Sequence, residues 1–526
     1  MRDTLLSLGV DRWVLAALVL WPLVAAVVVR VIGRDAWRED EGGEAPNDGL
    51  DARILALIAL GVEAAFGIVL WCVYDATGSG WQARVDVPWL ADLGATFSLG
   101  VDGLSMPMVV LTALLMPLTL LGSWDNVRVR TPAFCALVLM LTSGLIGVLV
   151  SLDLLLFYLA WELMLIPTYF LVGVWGTGAS GRASMRYVLF TLVGSLLMLV
   201  AILALWNASG ATSFHLDDLR QTALGSQAQL WMFGAFFTAF AVKSALVPFH
   251  TWLPDAQSSA PTFAAVTLGL KVGVYAILRF AIPLFPAAAM HPIVRSTILV
   301  IAVVAIVYGA LVAMSQRDVK RLVSYSSISH LGAIMLGTFA LTQQSVQGAV
   351  MIMLNHGITT SALFLLVGML QDRRGSTSMA DFGGLARVMP WMSAMFTLAI
   401  LSTIGLPGTN GFVGEFLVLL GAYSEVPVLA VIATSSVIFA AIYGLRTLQG
   451  VLFERLDVRE NRNLPDLNAR ELGVMGVFAV GIIWMGLAPG AVLHRVEAAS
   501  RGVVEAARFS PNATPTRTSL ATERQP

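Results

Sequence analysis

Phe240-Ala-Val-Lys243-Ser-Ala-Leu-Val-Pro248-Phe-His250-Thr-Trp-Leu-Pro254-Asp255 sets the character of this chain. The run starts as an apolar helix, carries a lysine within it, and then meets two prolines. Each proline removes a helix donor and clashes with the carbonyl four residues back. A second run, Ser402-Thr-Ile-Gly405-Leu-Pro407-Gly408-Thr-Asn410-Gly411-Phe-Val-Gly414-Glu415, is broken by Gly and Pro in the same way. Unwound backbone at membrane depth survives only against protein or a water-filled cavity. A matching pair of broken segments, one in each half, is the sequence signature of an inverted-repeat transporter. An isolated proline would carry little weight, since Pro and Gly are common in membrane helices. Clustered breaks beside Lys243 and Glu415 carry more.

Composition supports a membrane chain. Of 526 residues, 57% are hydrophobic and 12% charged, about half the charge of a soluble domain. That excludes a disordered chain, a nucleic-acid binder and an ordinary cytosolic enzyme. The formal net charge of -1 provides no field for a polyanion. Cys72 and Cys135 lie far apart, with no spacing for a metal site or a disulfide framework. Gly176-Thr-Gly178-Ala-Ser-Gly181 matches a dinucleotide-binding pattern, but it follows a membrane span rather than a strand and reads as a connector.

A membrane helix needs about 20 apolar residues, and the sequence holds about fourteen such segments, the seventh and twelfth being the broken ones. The fold class is therefore an all-α polytopic membrane protein. The longer connectors are 33–50, 77–98, 209–229 and 454–471, and the tail after Phe509 is polar. With the N-terminus outside, the inward connectors hold sixteen basic residues, Arg34, Arg38, Arg128, Arg130, Arg182, Arg186, Arg317, Lys320, Arg321, Arg373, Arg374, Arg387, Arg455, Arg459, Arg462 and Arg470. The outward ones hold three, Arg84, Arg220 and Arg295. That asymmetry predicts both termini on the outer side.

Only three of the 32 basic residues are lysines, and two of them, Lys243 and Lys271, fall inside spans. With Glu162, His330, His356 and Glu415 they form the candidate site. One charged side chain at a helix centre costs about 2.5–3.5 kcal/mol; for Glu162, Lys243, Lys271 and Glu415 the sum is on the order of 12 kcal/mol, so partners or water are required inside the bundle. A structural ion pair is the plainer reading of Glu162, a capping cation that of Lys243, and a satisfied core residue that of each histidine. Lys320, in Arg317-Asp-Val-Lys320-Arg321, is expected as an inward surface charge. At an effective dielectric near 20, opposite charges 4 Å apart interact by about 4 kcal/mol. Moving Glu162 toward or away from Lys243 would therefore load or discharge the lysine.

The runs Trp161-Glu-Leu-Met-Leu-Ile-Pro-Thr-Tyr-Phe, Phe249-His-Thr-Trp-Leu-Pro-Asp-Ala, Asn355-His-Gly-Ile-Thr-Thr-Ser-Ala-Leu-Phe and Gly405-Leu-Pro-Gly-Thr-Asn-Gly-Phe-Val-Gly-Glu-Phe resemble the antiporter-like subunits of bacterial respiratory complex I, the NADH:quinone oxidoreductase. The resemblance covers nearly the whole chain. Glutamate at position 415 looks like the subgroup that departs from the lysine of its sister subunits, and Gln257 stands where many relatives place a second histidine. The resemblance implies fourteen helices, helices 1–3 over 1–125, two inverted five-helix repeats over 126–286 and 287–453, and helix 14 with a polar tail over 454–526. It implies a midplane axis in which Glu162, Lys243, Lys271, His330, His356 and Glu415 transfer protons. It further implies a bacterial inner membrane and partnership with other membrane-arm subunits, especially neighbouring antiporter-like ones. Quinone reduction elsewhere would drive the transfer, with no cofactor in this chain and with flavin, iron-sulfur clusters and quinone in partner subunits. A large subunit of a multisubunit cation/proton antiporter, a membrane-bound hydrogenase subunit and a structural scaffold are the alternatives.

Overall fold

In this computed structural model the described residues are 2–32, 49–78, 80–455 and 459–508. Arg34, Arg38 and the tail from Phe509 lie outside them. The first helices are α1 (Val14–Ile32), α2 (Gly49–Val73), α3 (Ser105–Gly122), α4 (Thr131–Val150), α5 (Leu154–Trp175), α6 (Ser180–Ala208) and α7 (Ser226–Lys243). Three short helices follow, α8 (Trp252–Ser259), α9 (Thr262–Leu268) and α10 (Val272–Ala276). The chain continues with α11 (Pro292–Ser315), α12 (Val319–Ala340), α13 (Gln343–Arg374), α14 (Pro390–Thr403), α15 (Asn410–Tyr423), α16 (Pro427–Leu448), α17 (Ala469–Leu487) and α18 (Gly490–Arg508). Among the described residues, twelve helical stretches are long and apolar enough to cross a membrane. The chain is thus a multi-pass membrane protein.

Local chemistry fixes the helix ends. The Asp153 carboxylate accepts from the amides of Leu155 and Leu156 to start α5, and Asp318 accepts from Arg321 to start α12. Capping boxes, Thr342 with Ser345 and Asn468 with Glu471, open α13 and α17. Each cap satisfies donors that the first helical turn leaves free, a contribution of about 1 kcal/mol.

Both expected interruptions are present. α7 stops at Lys243, and Pro248 lies in the non-helical turn that follows. Pro254 is the third residue of α8, where a missing donor is harmless, so it begins a helix rather than breaking one. Between α14 and α15 the chain turns through Gly405 at φ 74° and Gly408 at φ 92°, both in the left-handed region that glycine tolerates. A third interruption, at residues 269–271, separates α9 from α10, and α10 runs on into a π-helical turn at Ile277–Ala281.

Two sequence expectations need correction. The chain is mostly helical but not all-α, because the 77–98 connector contributes to an antiparallel hairpin of β1 (Gln82–Leu90) and β2 (Ala95–Val101). Its inner strand buries Ala95, Leu99 and Val101. Before Phe509 the chain adds α18, which buries Val492, Val496, Ser500, Val503 and Ala507, a helical stripe, against the bundle. Lys320 is not a surface charge but is 2% exposed, and its Nζ donates to the Ala260 carbonyl at 3.5 Å. Its stem turns inward along α12 toward the α8–α9 junction, within electrostatic reach of Asp318 and Asp372.

Contacts sort the connectors into two faces. On one, Asp255 holds Arg186 and Arg321, Asn126 bonds Asp372 and the Thr262 amide, and Arg470 pairs with Asp125. On the other, Arg2 pairs with Asp75, Arg84 reaches His215, and Glu425 holds Arg295 and Arg508. Arg495 lies over Trp71 on that second face, so the first and last described residues share it.

Close helix approach depends on glycine. A Cβ on Gly332 of α12 would sit 2.6 Å from the Ala302 carbonyl oxygen and 2.7 Å from the Ile306 nitrogen of α11. Overpacking of this kind typically costs about 1–3 kcal/mol. Gly332→Val should lower the thermal unfolding midpoint and the yield of assembled protein; an unchanged midpoint would contradict this packing.

Candidate functional site

The second break is held by a buried polar network. The Asn355 amide donates to the Asn410 carbonyl at 2.5 Å, and the Ser402 hydroxyl donates to Asn410 Oδ1 at 2.5 Å. Thr359 and Ser402 hydroxyls meet at 2.8 Å. The network replaces the backbone bonds lost at the break and ties α13 to both half-helices. It brings Glu415, in the second turn of α15, against His330 of α12, with His330 Nδ1 and Glu415 Oε1 3.0 Å apart. Gly405 makes room for this carboxylate, since a Cβ there would lie 2.8 Å from Glu415 Oε2.

His330 leads inward to His356 on α13, the ring centroids 5.4 Å apart and nearly perpendicular. The Thr360 hydroxyl, one turn on, lies 3.0 Å from His356 Nδ1. Lys271, 4% exposed, is the next charge within electrostatic reach of His356. It occupies the residue just before α10, at the third interruption. Lys271, His356, His330 and Glu415 are therefore brought into one row. A cavity of about 20 Å³ lined by His330, His356, Thr359, Ser402 and Glu415 lies along it, room for about one water molecule.

Lys243 sits at the other end. Its Nζ donates to the Tyr187 hydroxyl at 2.8 Å and lies 5.8 Å from the centre of the Trp161 ring. The first and third interruptions face each other: a Cβ on Gly273 would be 2.2 Å from Ser244 Oγ and 2.8 Å from the Phe240 carbonyl oxygen. Only a glycine at 273 lets α10 touch the end of α7, and a further cavity of about 20 Å³ runs between Lys243 and residues 267, 268, 270 and 272. Glu162 is not in ion-pair contact with Lys243. One of its carboxylate oxygens, Oε1, is buried without a hydrogen-bond partner, and Tyr158 is its electrostatic neighbour.

Several ionisable groups escaped the sequence reading. Tyr187 gave no signal, because a tyrosine in a span is unremarkable until its partner is known. Glu63 on α2 is fully buried with both carboxylate oxygens unpartnered; its charge within a span was the available signal. Arg279, also inside a span, pairs with Asp102 at the end of the hairpin. Burial opposes ionisation of Asp102, but the Arg279 guanidinium and the amides of Ser105 and Leu104 outweigh it and hold the carboxyl below its usual range. Within Gly176–Gly181, residues 176–179 join α5 to α6, and Ser180 and Gly181 open α6. Among the described residues, no group of three or more His, Cys, Asp or Glu could hold a metal ion.

The profile described as "NADH:quinone oxidoreductase/Mrp antiporter, TM" matches residues 151–440, and "NADH-ubiquinone oxidoreductase chain 4, amino terminus" matches 91–148. The chain is 38% identical over 462 residues to NADH-quinone oxidoreductase subunit M of Escherichia coli strain K12, covering 84% of this chain and 90% of that one. It is 34% identical over 500 residues to NADH-ubiquinone oxidoreductase chain 4 of Arabidopsis thaliana, covering 94% and 98%. A chain of respiratory complex I from Thermus thermophilus superposes with a TM-score of 0.81 at 33% identity, covering 92% of this chain and 99% of that chain. A chain of the Mrp complex from a Dietzia species shares the fold, with a TM-score of 0.79 at 22% identity over 93% of this chain and 52% of that one. The chain belongs to the NADH:quinone oxidoreductase/Mrp antiporter transmembrane family, among its subunit M and chain 4 members.

Proposed function

We propose that this chain is a proton-translocating module in the membrane arm of NADH:quinone oxidoreductase, and that protons pass along Lys243, Lys271, His356, His330 and Glu415, with Glu162 setting the charge on Lys243. The observation that carries the reading is the row from Lys271 to Glu415, running between interrupted helices with room for water beside it. Such charges persist at membrane depth only where they pair, hydrate or conduct. His330 accepts a proton near Glu415 and passes it to a water or to His356, a distance that one bridging molecule spans. The wider scheme is the one the family suggests: fourteen spans, with inverted repeats over 126–286 and 287–453 flanked by 1–125 and 454–526. Both termini face the outer side of a bacterial inner membrane, and antiporter-like subunits flank the chain. Quinone reduction in partner subunits, which hold the flavin, the iron-sulfur clusters and the quinone, supplies the drive, and no redox centre lies here.

In the purified complex reconstituted into vesicles, Glu162→Gln and Lys243→Ala should each reduce NADH-driven acidification at least tenfold while leaving assembly intact. Normal pumping in well-assembled variants would instead favour a scaffold whose charges only hold helices together.

Tyr187→Phe removes the hydroxyl that meets the lysine while keeping the ring, and leaving a charged group unbonded costs about 1.5–3 kcal/mol. Pumping should fall about tenfold, measured by the same acidification assay; a wild-type rate would show that the hydroxyl is not used.

Glu415→Lys should retain more activity than Glu415→Ala if a charge of either sign suffices there, and equal loss in both would refute that.

A further inference from the structure

Outward of Lys271, the same span carries a second buried charge. One helical turn joins Lys271 to Tyr275, whose amide donates to the Lys271 carbonyl, and Arg279 follows one turn later inside the π-helical turn. Arg279 Nε donates to the Tyr275 hydroxyl at 3.1 Å, and Nη2 pairs with the Asp102 carboxylate. The Arg279 side chain is 4% exposed, and its guanidinium lies 4.7 Å from the centre of the Trp81 ring. Asp102 also accepts from the amides of Leu104 and Ser105, at 3.0 and 3.1 Å. The pair therefore bolts the end of the hairpin to the π-turn. Just beyond it, a cavity of about 230 Å³ is lined by Tyr74, Val101, Gln82, Arg2 and Asp11. Val101 directly precedes Asp102, and Tyr74 is within electrostatic reach of both Asp102 and Arg279. The cavity is large enough for several waters. One buried ion pair thus separates a vestibule with room for several waters, on the face that carries Arg2, from the lysine at the helix interruption.

The geometry points to the Arg279–Asp102 pair as the outer gate of the Lys271 site. Closed, it sets a fixed guanidinium between the lysine and the vestibule, and a positive charge in a narrow passage repels an excess proton. When the pair parts, the Asp102 carboxylate is free to accept a proton given up by the Lys271 ammonium and carried by water past Tyr275, whose own hydroxyl proton is held by the Leu149 carbonyl at 2.7 Å. Asp102 then passes the proton to water in the vestibule and re-pairs with Arg279, so that lysine loses one proton, water gains one, and the pair returns unchanged. A π-turn, whose hydrogen bonds are already irregular, is a suitable place for such a movement. This assignment rests on the proton-transfer reading of Lys271.

The test is made on the whole complex in sealed vesicles. Passive collapse of an imposed pH gradient is measured without NADH, and acidification per NADH oxidised is measured with it. Arg279→Gln, which removes the guanidinium and leaves the Asp102 carboxylate free to accept a proton, should speed passive collapse about tenfold and lower the coupling ratio, whereas NADH oxidation continues. Wild-type leak and coupling in the assembled variant would overturn the gate. If Arg279→Gln does not assemble, Arg279→Lys and Asp102→Glu, which keep both charges but alter the fit, should each leak severalfold faster than wild type, and wild-type leak in both would overturn it. Adding Lys271→Ala to a leaky variant should suppress the leak; a leak that persists assigns the passage elsewhere and overturns the link to Lys271. Because the leak is read without turnover, normal pumping in Glu162→Gln and Lys243→Ala would sink the pump reading while leaving the gate measurement to stand or fall alone.

Discussion

An ionised side chain in hydrocarbon needs a partner, water or a way to become neutral, and this bundle is arranged around that requirement. An intact helix satisfies its own backbone and has nothing to offer a neighbouring charge. An interrupted one exposes carbonyls and amides and opens space. Lys243 ends α7, Lys271 immediately precedes α10, and Glu415 lies in the second turn of α15, so three of the charges within the bundle sit at or beside the three interruptions. The glycines follow from the same need. Gly273 brings two of the interruptions into contact, and Gly405 leaves room for the Glu415 carboxylate.

The two ends of the row are chemically unlike. At one end Lys243 has a hydroxyl and an aromatic face but no carboxylate within ion-pair distance. At the other, Glu415 is held directly against His330. The contact at the Glu415 end is thus already made, while that between Lys243 and Glu162 is open. At low dielectric, a few ångströms of approach change that interaction by several kcal/mol. The Lys243 end is thus the adjustable one.

The sequence disclosed the membrane class, both proline- and glycine-marked breaks and the six ionisable candidates, because each is a strong local signal: long apolar runs, helix breakers, charges where charges are costly. What it hid depends on tertiary partners. Lys320 reads as a surface residue in Arg317-Asp-Val-Lys320-Arg321, yet it is buried because the α8–α9 junction supplies the Ala260 carbonyl. The Arg279–Asp102 pair joins residues 177 positions apart. The interruption at Lys271 contains no proline, and its glycines are as compatible with close packing as with a break. α18 is amphipathic rather than apolar, so a search for spans passes over it.

Where the helices are securely capped, they resist change. Asp153, Asp318, Thr342 and Asn468 each close a helix start with side-chain bonds to backbone amides, and glycine-mediated contacts lock α11 to α12 at backbone distance. At the interruptions, closure comes from side chains elsewhere in the bundle: the Trp252 indole donates to the Val242 carbonyl at the end of α7, Asn355 and Ser402 hold Asn410 at the start of α15, and α10 begins without a side-chain cap. A pump requires at least two arrangements of similar energy, and the interruptions, where backbone bonds give way to side-chain ones, are where that choice can lie. Lys243, Lys271 and Glu415 sit at or beside them, so a small change in backbone there alters which pairs touch and which hydrate. Charge movement and conformational change are then the same event, seen from the side chain and from the backbone.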